Sequence, residues 1–166
     1  MQTTVESKTI VLGLGQLQAT QDPAAVLVCL GLGSCVAVCA HDPVSKTAGM
    51  AHLVLPSFDD GRRPGTEGRF VDTGIPMLIE QMTKLGATPG RIVAKIVGGA
   101  QMIPAPGNSN LAIGDRNVDA ARAVLRRLGL IVRSADTGGN RGRTVKLYTD
   151  SGRLTVSTVG GTIRDL

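Results

Sequence analysis

Short apolar runs broken by glycine and Asp-Pro punctuation fill the first half of the chain: TIVLG, AVLVCLGLGSCVAVCAHDP and TAGMAHLVLP. Runs of β-branched and small apolar residues of this length, bounded by turn residues, predict strands. Two of them, Val26 to Leu30 and Val36 to Ala40, stand either side of GLGS, and Asp42-Pro43 marks a turn before a third from Ala48 to Leu55. Cys35 therefore falls where a glycine-rich turn meets a strand. The polar stretch from Ser57 to Gly68, rich in glycine and charge, reads as an exposed loop.

From Asp72 the period lengthens. Ile75, Leu78, Ile79, Met82 and Leu85 recur at the i, i+3, i+4 spacing of an amphipathic helix closed by Gly86. Asp72 or Thr73 is the expected cap, with Pro76 in the first turn, where its missing N–H does little harm. A second helix is predicted from about Asp115 to Leu128, with Val118, Ala121, Leu125 and Leu128 on one face, Arg122, Arg126 and Arg127 elsewhere, and Gly129 ending it. A strand in RIVAKIVGG lies between the helices and one in LIVRSADTGG follows them. The tail strands TVKLYT and LTVSTV form a hairpin across Asp150, Ser151, Gly152 and Arg153. This order is an α/β arrangement: one domain over residues 1–166, a β-sheet core, flanking helices and hairpins towards both ends. It has too few βα crossovers for a doubly wound sheet.

Composition agrees with a folded domain. The 166 residues are 42% hydrophobic and 19% charged, enough for an apolar core without disulfides. Rings make up only 2%, so that core is aliphatic and offers no base-stacking platform. The net charge of +5 suits an anionic partner, but the arginines are dispersed among acids, and no nucleic-acid partner is expected. The first residues have no apolar h-region and no stretch approaches the ~20 residues of a membrane span, so a cytoplasmic protein without membrane insertion is expected. Three cysteines in a reducing compartment argue against a disulfide framework. Without a CxxC pair or a spaced histidine pair, neither a metal nor another cofactor is expected.

The segment GLGSC fits no phosphate-binding loop: it lacks the Gly-Lys-Ser/Thr ending, and a strand-like run follows it where a helix dipole is needed. Such a turn instead exposes one side chain, Cys35, and aims backbone N–H groups, at Ser34 and Cys35, towards whatever binds beside it. A thiol becomes a good nucleophile when an imidazole takes its proton. His41 sits against the Asp-Pro turn, whereas His52 lies in the strand returning towards the glycine loop. If that strand pairs antiparallel with Val36 to Ala40, position 36 falls opposite position 52 and His52 arrives near Cys35. Cys39 reads as a buried small hydrophobe.

The string LGLGSCVAV, the Asp-Pro turn, GMAHLVLP, and then GRFVDT, KIVGGAQM, IGDRNV and ADTGGNRGR closely resemble the landmarks of the CheD family of chemoreceptor glutamine deamidases. The resemblance implies a three-layer domain, with the catalytic cysteine at Cys35 and the catalytic histidine at His52. The family's third catalytic position is a threonine whose hydroxyl helps to orient the histidine, and Cys29 stands there. Either a backbone carbonyl orients His52 in its place or activity is lowered. The implied function is hydrolysis of chemoreceptor glutamine side chains to glutamate through a Cys-His thioester mechanism, regulating chemotaxis. The implied partners are the cytoplasmic helices of chemoreceptors and a CheC phosphatase. The alternative is a regulatory module that binds and stimulates a CheC-type phosphatase with little deamidation.

Overall fold

The computed structural model describes residues 6–103 and 112–166. Ten strands form two five-stranded sheets. An outer sheet is ordered β1-β3-β8-β9-β10 and a central sheet β2-β5-β4-β6-β7. The strands are β1 (Lys8–Val11), β2 (Leu17–Thr20), β3 (Ala25–Leu32), β4 (Val36–Asp42), β5 (Thr47–Leu53), β6 (Val93–Gly98), β7 (Ile131–Thr137), β8 (Arg143–Tyr148), β9 (Leu154–Thr158) and β10 (Ile163–Asp165). The helices are α1 (Val71–Lys84) and α2 (Ile113–Arg127). The α/β domain with hairpins is the one expected, as the β4–β5 and β8–β9 pairings show. Sequence pattern missed β2 and β10. β2 is short and amphipathic, and β10 is a solvent-exposed edge strand, so neither carries an apolar run.

The central sheet is buried on both faces. Val36, Val38, Ala40, Ala51 and Leu53 pack with Ile75, Leu78 and Met82 of α1 and Ala121 and Leu125 of α2. On the opposite face, Ala37, Cys39, Ala48 and Met50 pack with Leu27, Cys29, Val145, Leu147 and Val156 of the outer sheet. Strict alternation along β4 and β5 therefore sorts odd and even positions into two cores. Every residue of these two strands is buried. Helix α1 lies so close to β5 that a Cβ on Gly49 would come within 2.6 Å of Met82 Sδ.

Three local expectations need correction. Helix α1 starts at Val71 with Phe70 as its N-cap, and no side chain caps it. The Val71 and Asp72 N–H groups donate instead to the carbonyls of Leu55 and Pro56, at 2.9 and 3.3 Å, so the chain entering the helix does the capping. Asp72 is thus free to accept from Ser57 Oγ and the Phe58 N–H, anchoring the loop that precedes the helix. Pro76 falls in the second turn of the helix, and Leu85 lies past its end, 40% exposed. Finally, Val36 pairs with Leu53 and Ala37 with His52, one residue away from the expected register.

At the end of β4, the Asp42 carboxylate is fully buried. It accepts from the Val44 and Thr88 N–H groups, each at 2.9 Å, and from the Arg91 guanidinium, also at 2.9 Å. It thereby ties the β4–β5 turn to the connection between α1 and β6. Burial alone would raise this carboxyl, but the bonds from Arg91, Thr88, Val44 and Ser45 outweigh it and hold the group well below the usual carboxylate range. Asp42→Asn is expected to cost about 3 kcal/mol in urea unfolding at neutral pH. A folded-state value below the unfolded one means that the contribution is complete above about pH 3.9 and fades as the pH falls further. The gap between wild type and variant should therefore narrow between pH ~4 and ~2. A gap that stays constant to pH ~2 would show that the ionised carboxylate is not what stabilises the turn.

Candidate active site

Cys35 stands half-buried at the end of the sandwich where β3 turns into β4. Just before it, the β3–β8 ladder slips between Cys29 and Leu32, with Leu30 56% exposed and Gly31 at φ +59°. This bulge turns the chain so that Leu32 is buried again, and such irregularities recur beside active sites. The carbonyls of the turn are then held one after another. Gly33 accepts from the Ala100 N–H at 2.8 Å, Ser34 from Asn117 Nδ2 at 2.9 Å, and Cys35 from the Gly99 N–H at 2.8 Å. Among the described residues neither the Ser34 nor the Cys35 N–H donates to another residue, and the Cys35 N–H points at its own sulfur.

His52 lies on the inter-sheet face of β5, in line with Ala48 and Met50, and is 5% exposed. It pairs with Ala37, and Cys35 continues the Ala37 and Cys39 face of β4. Both side chains therefore belong to the inter-sheet side, with Cys35 one residue beyond the end of the β4–β5 ladder. The register expected from sequence would have turned His52 to the helix side. Nδ1 of His52 bonds the Leu12 carbonyl at 3.0 Å. A carbonyl only accepts, so the proton sits on Nδ1 and Nε2 is left as the basic nitrogen. Leu12 is itself pinned by its N–H to the Val28 carbonyl at 2.8 Å, and the His52 backbone bonds Gly15 and Gln16 at 2.9 Å.

Cys29 lies on β3, close enough to Cys35 for a thiolate at Cys35 to oppose its ionisation. Its thiol donates to Met50 Sδ at 3.4 Å, so the orienting bond to His52 comes from Leu12. Burial first, and Cys35 second, push the Cys29 thiol up to about 12, which keeps it protonated. Cys39 is buried in the inter-sheet core, as a small hydrophobe would be. His41 sits at the far end of β4, bonded to the Thr149 carbonyl at 3.0 Å. A cavity of about 370 Å³ lies at that same far end, lined by His41, Lys95, Arg133 and Arg153, and has no wall in common with the Cys35 turn.

Two neighbours of the pair escaped sequence reading. Burial raises the Cys35 thiol, while the Arg69 guanidinium and the Cys35 N–H pull it down. Arg69 leans over Gly15, where a Cβ would meet its Cγ at 2.4 Å, and makes no ion pair among the described residues. Asn117 is fully buried on α2. Nothing in local pattern marked either one, since an arginine in a polar loop and an asparagine in a helix have many ordinary readings. Among the described residues no cluster of His, Cys, Asp and Glu could hold a metal ion, and no helix is long and apolar enough to cross a membrane.

A family model described as "CheD chemotactic sensory transduction" matches residues 54–158. Two curated relatives align over nearly the whole chain. The "Probable chemoreceptor glutamine deamidase CheD" of Caldanaerobacter subterraneus subsp. tengcongensis is 43% identical, covering 94% of this chain and 96% of the relative. The "Chemoreceptor glutamine deamidase CheD" of Thermotoga maritima is 44% identical, covering 91% of this chain and 92% of the relative. Among solved structures, a Bacillus licheniformis hypothetical protein, YfiH, is similar at a TM-score of 0.47 and 17% identity, over 84% of this chain and 62% of that one. Identity at this level along so much of both sequences, together with the family match, means that this chain belongs to the CheD family.

Proposed function

We propose that this chain hydrolyses the side-chain amides of chemoreceptor glutamines to glutamate, with Cys35 as nucleophile and His52 as base and acid. The observation that carries this reading is the His52 Nδ1 bond to the Leu12 carbonyl, which leaves Nε2 basic on the face shared with Cys35. The names of the relatives supply the substrate class.

Because burial keeps the Cys35 thiol above its ordinary value, the resting site holds a thiol and needs a base at the moment of attack. His52 Nε2 takes the thiol proton as Sγ bonds to the glutamine Cδ. The carbonyl π electrons move to oxygen, and the oxyanion is met by the N–H groups at Ser34 and Cys35, the latter released as the sulfur bonds to carbon. The tetrahedral adduct collapses, the C–N bond breaks, and the imidazolium proton goes to nitrogen, so that ammonia leaves and a thioester remains. A water then gives its proton to His52, its oxygen attacks the thioester carbon, and Sγ departs with the proton returned. The products are glutamate, ammonia and the free thiol. The half-buried position of Cys35 in a surface turn suits a side chain presented on a protein. The converted glutamate changes the charge of a receptor helix and provides a carboxylate for methylation, with receptor methyl-ester hydrolysis as a side activity of the same thiol.

The second reading is a module that binds and stimulates a CheC-type phosphatase. It is favoured by Cys29, whose thiol is engaged with Met50 and does not support the imidazole. Stable binding to a CheC-type phosphatase with no change in receptor glutamines would decide for it.

Incubation with a receptor cytoplasmic fragment should add about one dalton for each glutamine converted. Cys35→Ala should abolish the gain, and persistence of the gain would refute the mechanism. His52→Ala should slow conversion by about 10²–10⁴, and a loss below tenfold would remove His52 from the chemistry. Arg69→Gln removes a cation that lowers the thiol, so the pH profile of Cys35 alkylation should move to higher pH. A profile that stays in place or moves down would show that Arg69 does not act on the thiolate.

A further inference from the structure

We propose that Asn117 is the positioning residue that aims the oxyanion-binding peptide at Cys35. The proposal rests on the reading of Cys35 as nucleophile. The β4–β5 ladder ends at the pair Val36 and Leu53, so Cys35 and Val54 would form its next rung. In place of that rung, Nδ2 of Asn117 donates to the Ser34 carbonyl at 2.9 Å and to the Val54 carbonyl at 3.0 Å. One buried amide therefore clips together the segment before the nucleophile and the segment after His52.

The clip also sets the direction of the N–H groups. The described residues contain no cis peptide bond, and in a trans peptide the carbonyl and the N–H point in opposite directions. Asn117 draws the Ser34 carbonyl towards α2 and so turns the Cys35 N–H the other way. Ala100 does the same to the Gly33 carbonyl and thereby aims the Ser34 N–H. Helix α2 is seated tightly enough to enforce this. One turn before Asn117, a Cβ on Gly114 would fall 2.4 Å from the Gly99 carbonyl oxygen and 2.7 Å from that of Ala100. The Oδ1 of Asn117 has no hydrogen-bond partner among the described residues. Retaining a buried, half-satisfied amide is costly, as expected where its two donors are set by the geometry of a site.

The test is Asn117→Ala assayed on a chemoreceptor cytoplasmic fragment beside wild type, with folding checked by circular dichroism. Loss of an oxyanion donor typically lowers kcat by about 10²–10³. The variant should lose kcat on that scale with KM within about twofold, because ground-state binding does not use the oxyanion donors. Iodoacetamide alkylation of Cys35, located by tandem mass spectrometry, should shift to higher pH as the Cys35 N–H turns away from the sulfur. A folded variant with kcat within about threefold of wild type, or with an unmoved alkylation profile, overturns the proposal. If the variant does not fold, nitrogen-15 spectra of wild type decide: slowly exchanging Asn117 side-chain amide protons support the clip, and freely exchanging ones overturn it. Wild-type protein that alkylates at Cys35 but never converts glutamine would overturn the functional reading and leave the placement of Asn117 intact.

Discussion

In a sheet buried on both faces, a slip of one residue exchanges two cores, and this constraint fixes the register of β4 against β5. Moving β5 by one position would push Met50 towards α1 and Leu53 towards the outer sheet, against side chains already packed on both sides. The burial of five positions of these strands on the helix side and four on the outer-sheet side therefore holds Ala37 opposite His52. The imidazole comes to the inter-sheet face beside Cys35 as a consequence of packing that has no part in chemistry.

The rest of the site is built from main chain. The Leu12 carbonyl sets the tautomer of His52, and Leu12 is held in turn by β3. The carbonyls of Gly33, Ser34 and Cys35 are each tied to the Gly99–Ala100 segment or to α2. Backbone groups lose little further freedom when a ligand binds, since folding has already ordered them. This arrangement also explains how a buried thiol can occupy position 29. The imidazole is oriented from another strand, and Cys29 fills core volume against Met50.

The two ends of β4 divide stability from reactivity. At one end Asp42 is buried with its hydrogen-bonding capacity filled by Arg91 and two N–H groups, and it anchors the turn. At the other, the N–H groups of Ser34 and Cys35 make no bond to another described residue, beside a half-buried sulfur.

What the sequence determined by itself was most of the elements and a candidate pair, Cys35 and His52. Apolar period and turn residues located most strands and both helices, and the glycine turn before Cys35 with a histidine on the returning strand singled out the two candidates. The short amphipathic β2 and the exposed β10 left no such trace, because short polar-faced strands look like loops to any periodicity. Tertiary structure alone decided the true hairpin register and hence the face of His52. It also decided the source of the bond to Nδ1, and the arrival of Arg69 and Asn117 from segments remote in sequence. Local propensity spans a few residues, whereas these contacts join the segment after β1 to β5 and α2 to the β3–β4 turn. Only the simultaneous packing of two sheets and two helices brings them together.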